Sequence, residues 1–411
     1  MLLSADQRGK IEVLGDPPFG RGDRKVLMRI LLTSDWHIGK TLFSKNLLEE
    51  QAKFFEDTFF ACLKDVKPDL LINAGDIFDR PIPDLDSLRL FEELIKRLFE
   101  GNVKSLFILG NHDSRRASIH SDLLRMVGIT IARDLTYFFN PLTLDSLGTK
   151  IHLYVLPYLS LREYEEEVEG QGFENTADFI ESLLKNWINH IKKPAILVSH
   201  LAVSGTVWSD EELPLKGLSR EYLLPLECFS AFDLVLLGHF HSPQVHQGKF
   251  IYPGSPLPYS FDLLGKERGV TLLEIKDGKV SHLERIKLPS PYELKVYEDY
   301  FENLKRLPQD RALVKVVLKD KQPIYEVERE LRKVFPNLLT LVYEEDERRE
   351  NFPDFLSFLD EDKATPFELE PISVFKNFYK HILGKEIEEE VWQVFNKYYQ
   401  KFVGEVERYG Y

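Results

Sequence analysis

Asp35, Trp36 and His37 follow the apolar run VLMRILLT (26–33) in the motif SDWH. Asp76 and Asp79 follow DLLINA (69–74) in GDIFD, and Asn111, His112 and Asp113 follow SLFIL (105–109) in GNHD. His200 comes directly after AILVS (195–199), and His239 and His241 follow DLVLL (233–237) in GHFH. One acid or imidazole at a strand end is ordinary loop chemistry. Asp35, His37, Asp76, Asn111, His200, His239 and His241 together are not, because sites in open α/β sheets form beyond the carboxyl ends of the strands, where such groups can converge.

Carboxylate, imidazole and amide oxygen without thiolate suit two hard-to-borderline divalent ions, such as Mn²⁺ or Fe²⁺. Paired ions ~3.5–4 Å apart lower the pKa of a shared water and clamp the free oxygens of a phosphate. A carboxylate can bridge two ions, and Asp76, in the central motif, is the natural candidate. Gly75, Gly110 and Gly238 adjoin these groups and permit turns of close backbone approach.

Positioning such groups requires strands that deliver them to one edge. The apolar runs above, with IHLYVLP (151–157) and KFIYP (249–253), alternate with helical stretches, which predicts an α/β domain with strands covered on both faces. Residues 175–191 place Phe179, Ile180, Leu183, Leu184, Trp187, Ile188 and Ile191 on one helical face after a capping Asn175 or Thr176. Residues 268–288 read as a hairpin turning at Asp277-Gly278. PSPYE (289–293) marks a boundary. Beyond it come a strand (312–318), a helix (324–335), a strand (338–345), an acidic stretch (346–370) and two helical stretches (372–383 and 386–406). The expected division is a flexible extension over 1–27, a main domain over 28–288, a smaller α+β domain over 289–350, and an acidic linker with helices over 351–411.

The 411 residues carry 67 acidic and 53 basic side chains, a net charge of −14. A protein that held polyanions through bulk charge would be basic, so nucleic acid would have to be held by local basic groups, metal ions or a partner. No apolar stretch approaches the ~20 residues of a membrane helix. The start, MLLSADQRGK, lacks the pattern of a secretory signal. Cys62 and Cys228 cannot build a disulfide framework. These features predict a cytoplasmic protein without a membrane partner. Lys40, Lys45, Arg115 and Arg116, close to the motifs, are candidate phosphate-backbone contacts or plain surface groups. His120, His152, His190, His246, His282 and His381 are assigned no role.

The set DWH, GDIFD, GNHD, SHL and GHFH resembles the calcineurin-type metallophosphoesterase superfamily. TSDWHIGKTLFSK, GDIFDRP, GNHDSRR and YPGSPLPYSFDLLGKERGV are further similar to the nuclease subunits of bacterial SbcCD-type DNA-repair complexes. The resemblance implies a four-layer α/β/β/α sandwich with an α+β capping domain and C-terminal partner-binding helices. It also implies two divalent ions, Mn²⁺ first with Mg²⁺ or Fe²⁺ compatible. Asp35, His37, Asp76 and His241 would hold one, and Asp76, Asn111, His200 and His239 the other. His112 would stand at the scissile phosphate as proton donor or charge stabiliser, oriented by Asp113. The implied activity is exonuclease and endonuclease cleavage of DNA, with an SbcC-like coiled-coil ATPase as partner. A homodimer would form through apolar stripes in Leu85–Phe99 and Ser118–Val127. The aromatics Phe375, Phe378, Tyr379, Trp392, Phe395, Tyr398, Tyr399 and Phe402 would grip the ATPase. A small-substrate phosphatase or cyclic-nucleotide phosphodiesterase, and a non-catalytic scaffold, are the alternatives.

Overall fold

Strands that are apolar at every position need cover on both faces, and two six-stranded sheets meet that need by sharing one apolar cluster. The computed structural model describes residues 2–5, 11–14, 28–115, 121–146, 149–168, 172–173, 175–206, 223–276, 279–344, 379, 387, 391–393 and 395–396. The first sheet runs Lys279–Lys287, Gly269–Lys276, Met28–Thr33, Leu70–Asn73, Ser105–Ile108, Ile129–Ala132; its last four strands are parallel and its first two antiparallel. The second runs Gln244–His246, Phe250–Tyr252, Leu234–Gly238, Ala195–His200, Thr149–Leu156, Leu142–Ser146, with four parallel strands between antiparallel edges.

The two-residue period of a strand decides which side chains go where. Ile30, Leu32, Ile72 and Leu106 of the first sheet cluster with Leu153, Val155, Ile196, Val198 and Leu236 of the second. The alternate residues Leu31, Leu71 and Phe107 pack with Phe54, Phe55, Phe91 and Leu98 from helical segments. On the second sheet Tyr154, Leu197 and Val235 pack with Phe179, Ile180 and Leu184 of the helix Thr176–Trp187. Truncating one of these fully buried leucines to alanine costs about 2–5 kcal/mol. That helix starts where Asn175 Oδ1 accepts from the Asp178 N–H at 2.9 Å. It tightens into a 3₁₀ turn at Ile188–His190, which leaves Ile188 40% exposed instead of on the buried face. The helix Leu85–Glu100 starts at Asp84, whose carboxylate accepts from the Ser87 N–H at 2.8 Å.

Several elements depart from the sequence expectation. Ile129–Ala132, Leu142–Ser146 and Leu294–Asp299 are strands of four to six residues whose mixed composition gave no signal. Leu2–Ala5 and Ile11–Leu14 pair as antiparallel strands where no element was expected. The helix expected from Ile324 begins at Val327, after Glu326 adopts φ +53°. Leu294–Asp299, Leu313–Leu318 and Leu338–Tyr343 form a three-stranded sheet, and Leu294 and Leu313 join the apolar cluster of the first sheet.

The chain divides into two compact units, Met1–Val342 and Tyr343–Tyr411. In the second, Trp392 and Phe395 stack with ring centres 5.8 Å apart. Phe375, Phe378, Tyr398, Tyr399 and Phe402 lie outside the described residues, as do the 277–278 turn, Arg116 and Ile119. Among the described residues no helix is long and apolar enough to cross a membrane.

Candidate metal centre

Parallel pairing carries the loops after the first sheet's strands forward together. Beyond Thr33 and Asn73, the Asp35 N–H donates to the Gly75 carbonyl at 2.9 Å, and the His37 N–H to that of Asp76 at 3.0 Å. These loops take sharp, unusual turns. Asp35 (φ +54°), His37 (φ +43°), Asp76 (φ +52°) and His239 (φ +98°) all occupy the left-handed region that favours glycine. Such conformations cost on the order of 1–3 kcal/mol each and persist only where surrounding structure enforces them. In the second sheet His200 lies opposite Gly238 in register, so the two histidine motifs emerge side by side. A Cβ on Gly110 would land on the Asp76 carboxylate, and one on Gly238 on the Ala74 carbonyl and the His200 ring. Only glycine fits at either position.

Asp76 is the meeting point. Its Oδ1 accepts from the His112 N–H at 2.9 Å, and its Oδ2 lies 3.5 Å from His37 Nε2 and 3.4 Å from His200 Nε2. His37 Nε2 and His241 Nε2 face one another at 3.0 Å. Asn111 Oδ1 lies 3.0 Å from His200 Nε2 and 3.1 Å from His239 Nδ1. Asp35 Oδ1 accepts from the His239 N–H at 3.1 Å, and the Ser34 hydroxyl donates to its other oxygen. Five of the seven expected ligand groups, with His112, form three overlapping donor clusters: Asp35, His37 and His241; His37, Asp76 and His112; Asp35, Asp76 and His200; the other two, Asn111 and His239, adjoin them through His200 and Asp35.

The electrostatics fit a cation. His200 Nδ1 sits 2.8 Å from the Ala74 carbonyl; with the proton there, the Nε2 lone pair points at the oxygens of Asn111 and Asp76. Lone pairs that close together require a proton or a metal ion between them. Without an ion a proton takes the place: burial lowers the His200 pKa, but Asp76 outweighs it and lifts the group to about 9. Burial likewise pushes the Asp76 carboxyl up, yet His200 and His37 hold it well below the ordinary carboxylate range. Burial lowers His37 to about 4 and His239 to about 3, which keeps both rings neutral, the form that binds metal. Asp35 rises to about 6, first from burial and further from the Asp76 charge, after His200 and His241 offset part of it.

The residues around the cluster take parts that the sequence did not foretell. Asp113 does not contact the His112 ring through a hydrogen bond; its carboxylate accepts from the backbone N–H groups of Gly110, Ile77 and Phe78 at 2.9, 3.1 and 2.9 Å, tying two motif loops together. His112 Nδ1 lies 2.9 Å from the Asp79 carbonyl instead. The Asp79 carboxylate stands 3.5 Å from His37 Nδ1 and 3.2 Å from Lys40 Nζ. Burial raises its pKa, but His37 and Lys40 bring it down to about 2. Lys45 pairs with Glu50 at 2.9 Å, and Arg115 with Glu167 at 2.9 Å, so each of the three basic candidates among the described residues has an acidic neighbour. Sequence reasoning also missed Gln51, and the parts of Tyr259 and Arg268, which it met only as members of YPGSPLPYSFDLLGKERGV. Arg268 is nearly buried, and its guanidinium donates to the His241 carbonyl at 2.6 Å. A buried arginine gives no pattern from which this contact could be read.

A solved structure described as the calcineurin-like phosphoesterase YfkN from Bacillus subtilis matches at 15% identity, with a TM-score of 0.32, over 64% of this chain and 90% of that one. The family model for calcineurin-like phosphoesterases matches residues 28–243, which hold every one of the donor groups above. The chain belongs to the calcineurin-like phosphoesterase family.

Proposed function

We propose that this family member is a Mn²⁺-dependent DNA nuclease, the counterpart of SbcD in an SbcCD-like repair complex, cutting phosphodiester bonds at duplex ends or hairpins. The observation that carries the reading is where the segment YPGSPLPYSFDLLGKERGV goes. It lies beyond the family match, it bears the narrower resemblance, and it is built into the donor cluster. Arg268 and the Ser255 N–H both bind the His241 carbonyl, and the Tyr259 ring stands edge-on to His37 and His241.

In this reading Asp35, His37, Asp76 and His241 hold one ion, and Asp76, Asn111, His200 and His239 the other. When bound, such ions acidify a water toward neutrality and place positive charge against the free phosphate oxygens. The chain's own groups do the rest. The Ala74 carbonyl fixes the His200 tautomer. Asp113 fixes the spacing between the GDIFD and GNHD loops. The Asp79 carbonyl accepts from His112 Nδ1–H, so Nε2 can give a proton to the leaving oxygen only when the ring is the imidazolium, with both nitrogens protonated. The shared cluster between the sheets supports the four-layer sandwich. Leu85, Leu123 and Met126, exposed on their helices, support a second copy of the chain as neighbour.

Purified chain given Mn²⁺, hairpin-ended linear duplex and an aryl phosphodiester tests the proposal. Cleavage of DNA, rising with an SbcC-like ATPase, is the expected outcome. Turnover of the aryl ester alone would replace it with a small-substrate phosphodiesterase.

A further inference from the structure

Among the residues outside the donor set, Gln51 has the most unusual surroundings. It is fully buried in the short helix Leu48–Phe54, whose other buried residue is Phe54. An amide there must be hydrogen-bonded or cost roughly 1–3 kcal/mol. Its side chain wraps the turn that carries His37: Nε2 lies 2.7 Å from the His37 carbonyl and 3.1 Å from that of Trp36, and Oε1 accepts from the Gly39 N–H at 2.9 Å. Nε2 also lies 3.0 Å from the Tyr259 hydroxyl, which itself donates to the Trp36 carbonyl at 2.5 Å. The Tyr259 ring packs edge-on against His37 at 5.8 Å and His241 at 6.2 Å. Two side chains from distant segments thus clasp the backbone of one strained turn and wall off two imidazoles.

The other half of the centre is held differently. His200 is fixed by a backbone carbonyl inside the sheets, and His239 by its N–H on Asp35. Neither Gln51 nor Tyr259 touches that half through a hydrogen bond.

We infer that Gln51 and Tyr259 are positioning residues for one ion only, the one held by Asp35, His37, Asp76 and His241. By locking the left-handed turn at His37, they make this ion's affinity adjustable independently of its neighbour. The inference rests on the two-ion reading above. Partners that orient a ligand typically change metal affinity by about 10–100-fold when removed.

Tyr259→Phe deletes one oxygen and keeps the ring, and Gln51→Met keeps the length while removing the amide. Both, with the wild-type full chain, are titrated with Mn²⁺ by calorimetry and with Co²⁺ by visible absorption, and melted in EDTA. The expected result is two ions on the wild type, and in each variant one ion unchanged and one weakened at least tenfold. Part of the Co²⁺ spectrum should then be lost; the ion-free melting temperature should stay close to wild type in Tyr259→Phe and fall in Gln51→Met, which strips the amide donor from the His37 and Trp36 carbonyls. Two ions of unchanged affinity in both variants would overturn the inference, as would equal weakening of both ions. A wild type that binds fewer than two ions would remove the two-ion reading itself, a result distinct from either.

Discussion

The two six-stranded sheets send different chemistry to the same place. The first delivers both cluster carboxylates, Asp35 and Asp76, together with His37 and Asn111; the second delivers only imidazoles, His200, His239 and His241. Two carboxylates against the four charges of two divalent ions would leave the centre positive, and the neutral rings add ligands without cancelling that charge. The first sheet thus sets how much charge remains to attract a phosphate, and the second completes the coordination. Backbone conformation divides the same way: three of the four left-handed site residues follow first-sheet strands. Charged donors that repel one another need the more forceful placement.

Changes on the first-sheet side should therefore have the larger effects. Asp76→Asn removes the carboxylate that both halves share. Phosphodiester hydrolysis should fall by well over the ~100-fold that follows loss of an orienting partner, and Mn²⁺ content should drop with it. Activity within tenfold of wild type would mean that charge is not what this sheet contributes. His112→Ala should lower DNA cleavage by about 10²–10⁴-fold, the usual contribution of a positioned proton donor. Metal content should stay the same, and an aryl ester, whose leaving group needs no proton, should lose much less. Equal losses on both substrates would contradict a proton at Nε2.

Asp79→Asn tests the carboxylate beside His37 Nδ1, since the Asp79 carbonyl that meets His112 is backbone and stays in place. A loss of about 10–100-fold in metal affinity is expected; unchanged metal binding would mean that the carboxylate does not orient His37. The smallest effect concerns strain outside the donor set. Phe43 sits at φ +52° and is more than half exposed. Phe43→Gly should stabilise the fold by up to about 1 kcal/mol in thermal melts, with metal content unchanged. No gain, or a loss, would mean that the ring's packing on Phe261 outweighs the strain.

What the sequence revealed divides along a physical line. Groups whose type and position relative to an apolar run are both distinctive, such as Asp35, Asp76 or His200, were legible because a buried strand fixes where its end must be. Asp113 was legible as a site residue but not in its part, because its partners Ile77 and Phe78 come from another strand's loop and only the register brings them close. The parts of Gln51 and Tyr259 were not legible: an amide in the charged helix LEEQAKF and a tyrosine within YPGSPLPYSFDLLGKERGV gain their meaning only when 208 positions of separation collapse to 3.0 Å. The missed strands failed for another reason. LTLDS at 142–146 lies at a sheet edge, where polar residues are tolerated and the apolar signal fades.

The most direct test is diffraction from crystals grown with Mn²⁺, recorded at the metal's absorption edge. Two anomalous peaks within ~4 Å of each other are predicted, one against Asp35, His37 and His241, the other against Asn111, His200 and His239, with Asp76 touching both. A single peak, peaks elsewhere, or none at saturating Mn²⁺ would contradict the account.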